Sequence, residues 1–326
     1  MNRPNLFDYA TSELSQDAFI CWLLKWASPE YKIIDGKLNT CALNFIYAIF
    51  KKHTKTPPLH IEKIKIFRQD KKIDVLCIIN DIYAILIEDK IGTINHSNQL
   101  SRYFESVKVR DFKEENILPI YFKTEDQGDY TDVLGNGYKL FLRSDILDIL
   151  NTYSGSNTII IDYRSHLQSI SDQVESYKSV KIENWERYQW IGFYLRIQEE
   201  LDDSNWDYIP NPQGGFLGFY WHFQGDNNCK QYLQLEQNKL CFKIFVNNPK
   251  ERSVLRNKWF NIIYNKADER RIKLKKPSRF GNGRYMTVCI YDEYRECNNY
   301  NQIDVDKTIK KLKIFESILE VVKDKA

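Results

Sequence analysis

The stretch KIDVLCIINDIYAILIEDKIGTINHSNQLSRY, residues 72–103, decides the fold. It begins with two apolar runs, residues 73–79 and 83–91, separated by the turn-forming pair Asn80-Asp81. The second run is almost entirely apolar until it reaches Glu88, a pattern typical of a central strand buried on both faces. We therefore expect a hairpin whose second strand lies in the middle of a sheet.

Three charged residues of this hairpin form a candidate site: Asp74 on the first strand, with Glu88 and Lys90 on the second. Glu88 and Lys90 are two residues apart, so their side chains point to the same face. Carboxylates at the end of a buried strand are costly unless they are paired or bind a cation. Two converging carboxylates suit Mg²⁺, and a neighbouring lysine can offset charge, orient an attacking water or stabilise a phosphorane-like transition state.

The length of the hairpin loop decides whether the two carboxylates share a face, because directly opposed residues of an antiparallel pair lie on one side of the sheet. A two-residue loop at Asn80-Asp81 pairs position 74 with position 87, which places Asp74 and Glu88 on opposite faces. A three-residue loop through Ile82, or one bulge, pairs position 74 with position 88. A shared site requires one of these two arrangements.

Periodicity outside the hairpin predicts an α/β (α+β) domain with a mixed central sheet flanked by helices. Helices are expected at 19–26, with Ser15 as the N-cap, and at 43–50, 95–113, 144–150 and 168–177. Further strands are expected at 61–67, 117–122, 138–142 and 158–161. These elements define a first domain at 1–180.

A composition break at 202–215 indicates a second domain. Beyond it, antiparallel strands are expected at 216–223, 232–235, 240–246 and 285–291, and helices at 253–266 and 305–322. We interpret 205–326 as a C-terminal α+β domain and 181–204 as a connecting helix. Trp206, Tyr220 and Trp221 are expected in its core.

Composition excludes several classes of protein. The chain of 326 residues is 43% apolar and 28% charged, which argues against disorder. No window is apolar enough for a membrane span, and the first residues do not resemble a secretory signal. Seven cysteines without a C-x-x-C pair indicate reduced thiols rather than a disulfide framework or zinc site. The sequence therefore predicts a cytoplasmic protein with no membrane partner.

Positive charge is concentrated near the C-terminal end of the chain. The net charge is +3, but residues 250–284 contain 12 Lys or Arg against 3 Asp or Glu, a local balance of +9. The rest of the chain therefore carries −6. A hairpin tip at 281–283 would present this charge to nucleic acid, although a solvated basic surface is an equally common interpretation. The candidate nucleic-acid-binding residues are Arg270, Arg271, Lys273, Lys275, Lys276, Arg279 and Arg284.

Asp74 followed by Glu88-Asp89-Lys90 resembles the D…(D/E)xK signature of the PD-(D/E)xK (restriction-endonuclease-like) nuclease superfamily. One departure is that Ile73, not proline, precedes the aspartate. The resemblance covers roughly residues 5–165. It implies Mg²⁺-dependent hydrolysis of phosphodiesters, with Mn²⁺ as a substitute ion.

Two further segments extend the resemblance. Gln99 and Tyr103, four apart on one helical face, are similar to the QxxxY motif of RecB-type members. Residues 12–19 with 22–24 resemble the N-terminal helix start of another branch, in which a glutamate helps to complete the metal site. In this chain that glutamate is Glu13.

The resemblance also implies individual roles. Asp74 and Glu88 would bind metal, with the Asp89 backbone carbonyl as a third ligand, although the Asp89 carboxylate could compete for the metal or for the lysine. Lys90 would position or activate water, and Glu13 would bind a metal or a metal-bound water. Two polar residues complete the site: Gln99 would orient the lysine or the scissile phosphate, and Tyr103 would support the helix or the phosphate.

We therefore expect a Mg²⁺-dependent nuclease that acts on DNA. An alternative is a non-catalytic nucleic-acid-binding or interaction protein on the same scaffold. Another is a toxin or phage-defence component that requires a protein partner. A homo-oligomer is compatible with any of these expectations.

Overall fold

The computed structural model describes residues 3–93, 98–211 and 214–320. The chain forms two compact units, Met1–Ser171 and Asp172–Ala326. The segment 181–204, interpreted from sequence as a connector, is part of the second unit. Among the described residues, no helix is long and apolar enough to cross a membrane.

The first unit is built on a mixed five-stranded sheet, as the sequence predicts. In spatial order its strands are β1 (Ile64–Asp70), β2 (Ile73–Ile79), β3 (Tyr83–Lys90), β4 (Ile117–Lys123) and β5 (Lys139–Leu142). The first three strands are antiparallel, and β4 and β5 run parallel to β3. The central position of β3 explains its apolar sequence, because all its residues except Tyr83 are buried.

The hairpin between β2 and β3 has the three-residue loop that a shared site requires. Ile79 pairs with Tyr83 and Val75 pairs with Ile87, so the loop comprises residues 80–82. Asn80 and Asp81 both have positive φ, near 54°, a conformation that Asn and Asp tolerate better than most residues. The next position along each strand places Asp74 opposite Glu88.

Helices cover both faces of this sheet. They are α1 (Glu13–Trp26), α2 (Gly36–Lys52), α3 (Gln99–Lys108), α4 (Thr131–Gly135), α5 (Arg143–Asn151) and α6 (Thr158–Glu175). Leu100 and Val107 of α3 pack in one cluster with Leu86 of β3. On the opposite face, Phe45 of α2 packs edge-on against Phe122 of β4. Residue 95, the predicted start of α3, lies outside the described residues.

Two sequence predictions in this unit are wrong. Residues 158–161 do not form a strand but begin α6, because the Asn157 side chain accepts hydrogen bonds from the N–H groups of Ile159 and Ile160 and starts a helix. The N-cap of α1 is Ser12 rather than Ser15, since the Ser12 hydroxyl accepts from the Ser15 N–H at 3.2 Å. Both errors concern where a helix begins.

The second unit contains an antiparallel five-stranded sheet and three further helices. After α7 (Arg187–Gln198), its strands follow chain order as β6 (Asn205–Ile209), β7 (Phe216–Gly225), β8 (Cys229–Glu236), β9 (Lys239–Val246) and β10 (Tyr285–Tyr291). Helix α8 (Arg252–Glu269) precedes β10, and α9 (Val305–Glu320) follows it. The predicted end of α9 at residue 322 lies outside the described residues. Strand β6 was not predicted, because its five residues lie within the composition break at 202–215.

The secondary structure of the predicted connector, and of the segment that carries the basic residues, also differs from the sequence predictions. The predicted connecting helix at 181–204 is interrupted at Glu186, whose extended backbone separates a short 3₁₀ turn from α7. Residues 281–283 are not a hairpin tip, because the element before β10 is helix α8 rather than a strand. Residues 270–284 therefore form a connection from helix to strand, held by one isolated bridge between Lys275 and Ile290.

Candidate active site

Asp74, Glu88 and Lys90 converge at the open end of the β2–β3 hairpin. The Lys90 Nζ lies 2.5 Å from Glu88 Oε1 and 3.9 Å from Asp74 Oδ2. The Asp74 Oδ2 accepts a hydrogen bond from the Asp89 N–H at 2.9 Å, and the Asp89 carbonyl accepts one from Lys90 Nζ at 2.9 Å. Both backbone polar groups of Asp89 thus contact the cluster.

Helix α3 adds two more of the expected residues. The Gln99 Nε2 donates to Glu88 Oε1 at 2.7 Å and to the Tyr103 hydroxyl at 3.1 Å. The spacing of four residues places both side chains on one helical face. Tyr103 is therefore linked to the acidic pair through Gln99, and the five residues expected to be catalytic lie in one place.

Burial controls the protonation of this cluster. Glu88 is fully buried, and desolvation together with the negative charge of Asp74 raises the pKa of Glu88 to about 8. Burial by itself would lower the pKa of Lys90, but the adjacent Glu88 carboxylate, assisted by Asp74, raises it above its ordinary value. Lys90 is therefore a cation at neutral pH, and Glu88 gives up its proton less readily than an ordinary glutamate.

Glu13, the first residue of α1, lies at the rim of the cluster. Its Oε1 accepts hydrogen bonds from the Ile91 N–H at 3.3 Å and from the Thr93 hydroxyl at 2.5 Å. Lys123 Nζ donates to the carbonyls of the same two residues at 2.8 and 2.6 Å. Glu13 and Lys123 therefore hold the segment that leaves β3 immediately after Lys90.

The Asp89 side chain points to the opposite face of the sheet from Glu88, because successive side chains on a strand alternate. Its Oδ1 accepts a hydrogen bond from Gln16 Nε2 at 2.6 Å. The Gln16 Oε1 accepts in turn from the hydroxyls of Thr124 and Tyr163 at 3.0 and 2.9 Å. The Asp89 carboxyl is therefore held by α1, and only its backbone faces the acidic pair.

Asp17 forms a second acidic pair with Asp89 behind the strand. Burial raises the pKa of both carboxyl groups, and the neighbouring Asp17 charge raises that of Asp89 further. The buried oxygens Asp17 Oδ1 and Asp89 Oδ2 have no hydrogen-bond partner in the described part of the chain. A proton shared between the two carboxyl groups would satisfy both oxygens.

Gln69 connects this second pair to the first. Its Nε2 donates to Asp17 Oδ2 at 2.9 Å and to Asp74 Oδ1 at 3.0 Å. The β1–β2 register places Gln69 directly opposite Asp74. Gln69 also has φ +54°, a left-handed conformation that is costly for a residue other than glycine, so its position is imposed by the surrounding structure.

Sequence reasoning did not single out four of these residues: Gln16, Asp17, Gln69 and Lys123. Helical spacing was an available signal for the first two, because they follow Glu13 by three and four positions on α1. Lys123 ends an apolar strand as Lys90 does, and the two pair in the parallel register. Gln69 had no such signal, because its role depends on a strand boundary that was predicted three residues too early.

The donor set fits a divalent cation held by few protein ligands. Asp74 and Glu88 converge, and the buried Glu88 Oε2 has no hydrogen-bond partner within the described ranges. No group of three His, Cys, Asp or Glu side chains in those ranges is arranged to hold an ion. The side-chain ligands would therefore be two carboxylates, with a carbonyl and water completing the shell, as Mg²⁺ accepts.

The seven candidate nucleic-acid-binding residues all lie exposed in the second unit, on or near the connection between α8 and β10. Several make contacts there. Lys275 pairs with Asp292 at 2.5 Å, and Arg270 donates to the Ser317 hydroxyl. Lys276 lies over the rings of Phe260 and Phe280.

Comparison with protein families identifies the superfamily to which the chain belongs. A family model of the PD-(D/E)XK nuclease superfamily matches residues 4–191, more than half of the chain. The chain therefore belongs to the PD-(D/E)XK nuclease superfamily, a class of nucleic-acid hydrolases, and the resemblance to that superfamily is confirmed. The similarity of Gln99 and Tyr103 to the QxxxY motif of RecB-type members stays a prediction. The searches of curated proteins and of solved structures returned no match.

We predict that Asp89→Asn makes the protein more stable at high pH. Because the folded pKa of Asp89 is raised, its contribution to stability is complete below about pH 4 and declines as the pH rises through the folded pKa. Asparagine keeps the acceptor for Gln16 and can donate to Asp17 without carrying a proton that can be lost. The melting temperature in EDTA should exceed that of the wild type at pH 8.5, by a stabilisation on the order of 1–2 kcal/mol.

The difference in melting temperature between the wild type and Asp89→Asn should vanish near pH 4, where the wild-type Asp89 carboxyl is protonated. Asp89→Ala is the control, because it leaves Gln16 without its acceptor and should destabilise the protein at every pH. Parallel melting curves for the wild type and the asparagine variant across this range would contradict the shared proton.

Proposed function

We propose that this protein is a Mg²⁺-dependent nuclease that hydrolyses phosphodiester bonds of DNA. The observation that carries the proposal is the convergence of Asp74, Glu88 and Lys90 within a member of the PD-(D/E)XK superfamily. Three charged groups are costly to bury together, and a non-catalytic scaffold has no physical need to retain them.

In this proposal Asp74, Glu88 and the Asp89 carbonyl hold the ion. The raised pKa of Glu88 fits this role, because the carboxylate lacks positive charge beyond that of Lys90. A bound Mg²⁺ supplies that charge, neutralises phosphate and lowers the pKa of water. Glu13 is an additional carboxylate at the rim of the site.

The remaining residues position these groups. Lys90, fixed by Glu88 and the Asp89 carbonyl, presents a cation where negative charge develops during hydrolysis of the phosphodiester. Gln99 holds Glu88 Oε1 from α3 and is itself oriented by Tyr103. Gln69 holds Asp74 Oδ1 from β1, so each carboxylate is held by a glutamine amide from a neighbouring element.

The basic residues of the second unit support a nucleic-acid substrate. Contacts between exposed Lys or Arg and phosphate give affinity that depends on salt and is largely independent of sequence. We propose that Arg270, Arg271, Lys273, Lys275, Lys276, Arg279 and Arg284 contribute such contacts to DNA.

We predict that Glu88→Gln abolishes cleavage and leaves the fold intact. The amide preserves the size of the buried side chain and its contacts with Gln99, and burial already disfavours the charged form of Glu88. Cleavage of plasmid and linear DNA in Mg²⁺ should fall by about 1000-fold or more, as expected when a carboxylate that is essential for charge stabilisation is removed. DNA binding in EDTA should change little.

Glu105→Gln is the matched control, because Glu105 is exposed on α3 and contacts none of these residues in the described structure. The proposed site is refuted if Glu88→Gln and Glu105→Gln cleave DNA at the same rate.

We predict that Asp74→Ala removes measurable Mg²⁺ or Mn²⁺ binding, whereas Lys90→Ala retains it and loses cleavage. The carboxylate is an oxygen ligand and the ammonium is not. Titration calorimetry of the three proteins, with circular dichroism to verify folding, separates the two roles. A wild-type protein that binds neither ion would favour the non-catalytic alternative.

We predict that Glu substitution of Arg270, Arg271 and Lys276 together weakens DNA binding and reduces its dependence on salt. Lys275 is left unchanged because it is paired with Asp292. Removing Z phosphate contacts lowers the slope of log Kd against log salt by about 0.9Z. The control is the same triple substitution on α9, at Lys307, Lys310 and Lys313. An unchanged salt slope in the first variant would exclude this surface.

A further inference from the structure

The second unit has a sheet face that its helices do not cover. Helix α8 packs against β9 and β10, and α9 packs against β7 and β8. Buried residues such as Leu233 and Phe242 lie on that helical side, where Phe242 contacts Phe315 of α9. The alternate residues of the same strands, among them Tyr220 and Tyr232, point to the opposite side.

A cleft of about 400 Å³ opens on this second face. Phe223 and Tyr232 stack in it with ring centroids 5.1 Å apart and an interplanar angle of 21°, and Tyr220 meets Phe223 edge-on at 6.2 Å. Tyr285, which is 61% exposed, stands at its rim. The cleft is lined by Ile209, Tyr220, Phe223, Tyr232, Gln234, Lys243 and Tyr285.

Tyr220 therefore departs from the sequence expectation, which placed it in the core with Trp206 and Trp221. Both tryptophans are buried as expected. Tyr220 pairs with Gln234 across β7 and β8, and directly opposed residues share a face, so it lies on the cleft side.

Cations surround the aromatic rings. The strand register places Lys230, Lys239 and Lys243 on this face, and Arg284 lies over the ring of Phe245 with its guanidinium carbon 4.7 Å from the centroid. Among the described residues, the acids on the face are Asp207, Glu236 and Asp292. Glu236 is paired with both Lys239 and Lys243 at 3.0 and 3.1 Å, and Asp292 is paired with Lys275. With Lys275 included, five cations against three carboxylates leave the face with a net positive charge.

We propose that this cleft binds an unpaired base of single-stranded DNA, as a second nucleic-acid site separate from the acid–acid–lysine cluster. Aromatic side chains on a sheet provide flat surfaces on which exposed bases stack, and nearby cations contact the backbone phosphates. A duplex cannot use such a cleft, because its bases are stacked on each other. A cleft of this volume has the size of a small-ligand site, which is sufficient for a nucleotide.

The proposal is tested by fluorescence anisotropy in EDTA, which prevents metal-dependent cleavage. The probes are a labelled single strand of about twelve nucleotides, within the usual site size for such surfaces, and the same sequence as a duplex. Tyr285→Ala and Tyr220→Ala should each weaken single-strand binding about tenfold, because stacking on one ring is lost. Tyr285→Phe should restore wild-type affinity, since phenylalanine keeps the ring and loses only the hydroxyl.

Tyr300→Ala is the matched control, because Tyr300 is 75% exposed in the same unit and lies outside the cleft. Melting temperatures verify that each variant is folded. Unchanged single-strand affinity in both cleft variants overturns the proposal. Equal weakening of single-strand and duplex binding also overturns it, because it indicates a general effect on DNA affinity. Binding to a protein through the same tyrosines, with single-strand affinity unaffected, would identify a protein-docking face instead.

The outcome of these single-strand binding measurements does not depend on the nuclease proposal. The same titrations in Glu88→Gln should give the same single-strand affinity as the wild type, because the cleft shares no residue with the catalytic cluster. A protein that binds single strands through the cleft but cleaves no DNA would refute the nuclease and leave this inference intact.

Discussion

Two acids and one lysine packed against one another at the end of a buried strand are the constraint on which the first unit depends. Glu88 is fully buried on the central strand, so it must be stabilised by the Lys90 ammonium and the Gln99 amide. The three-residue loop at 80–82 sets this arrangement, because a loop shorter by one residue would turn Asp74 to the other face.

Much of this could be predicted from sequence because it depends on local pattern. The apolar run of β3 identifies a central strand, and the two-residue spacing of Glu88 and Lys90 fixes their common face. Helical spacing similarly joins Gln99 to Tyr103. The prediction that failed involves two competing local signals: the isoleucines at 159–161 suit a strand, whereas the Asn157 side chain caps the helix that begins at residue 158. The loop length was left open because Asn80-Asp81 is compatible with either register.

The polar network behind β3 could not be predicted, because it joins residues far apart in the chain. Gln16 connects α1, β3 and α6 through Asp89 and Tyr163, over separations of 73 and 147 residues. Nothing local in the sequence marks such a contact. Its physical effect is to fix the backbone of Asp89, whose N–H and carbonyl both contact the acid–acid–lysine cluster. The acidic residue within the ExK motif therefore contributes through its main chain, while its side chain anchors the strand to α1.

The left-handed backbone at Gln69 has a consequence beyond the site. Strand β1 is at the edge of its sheet, and an unprotected edge can recruit a strand from another molecule and lead to aggregation. Gln69 lies one residue before the end of β1, so its irregular conformation shortens the regular part of that edge, and Lys65 and Arg68 add charge along it. The residue that orients a carboxylate inside the protein thus also discourages sheet extension between copies of the chain.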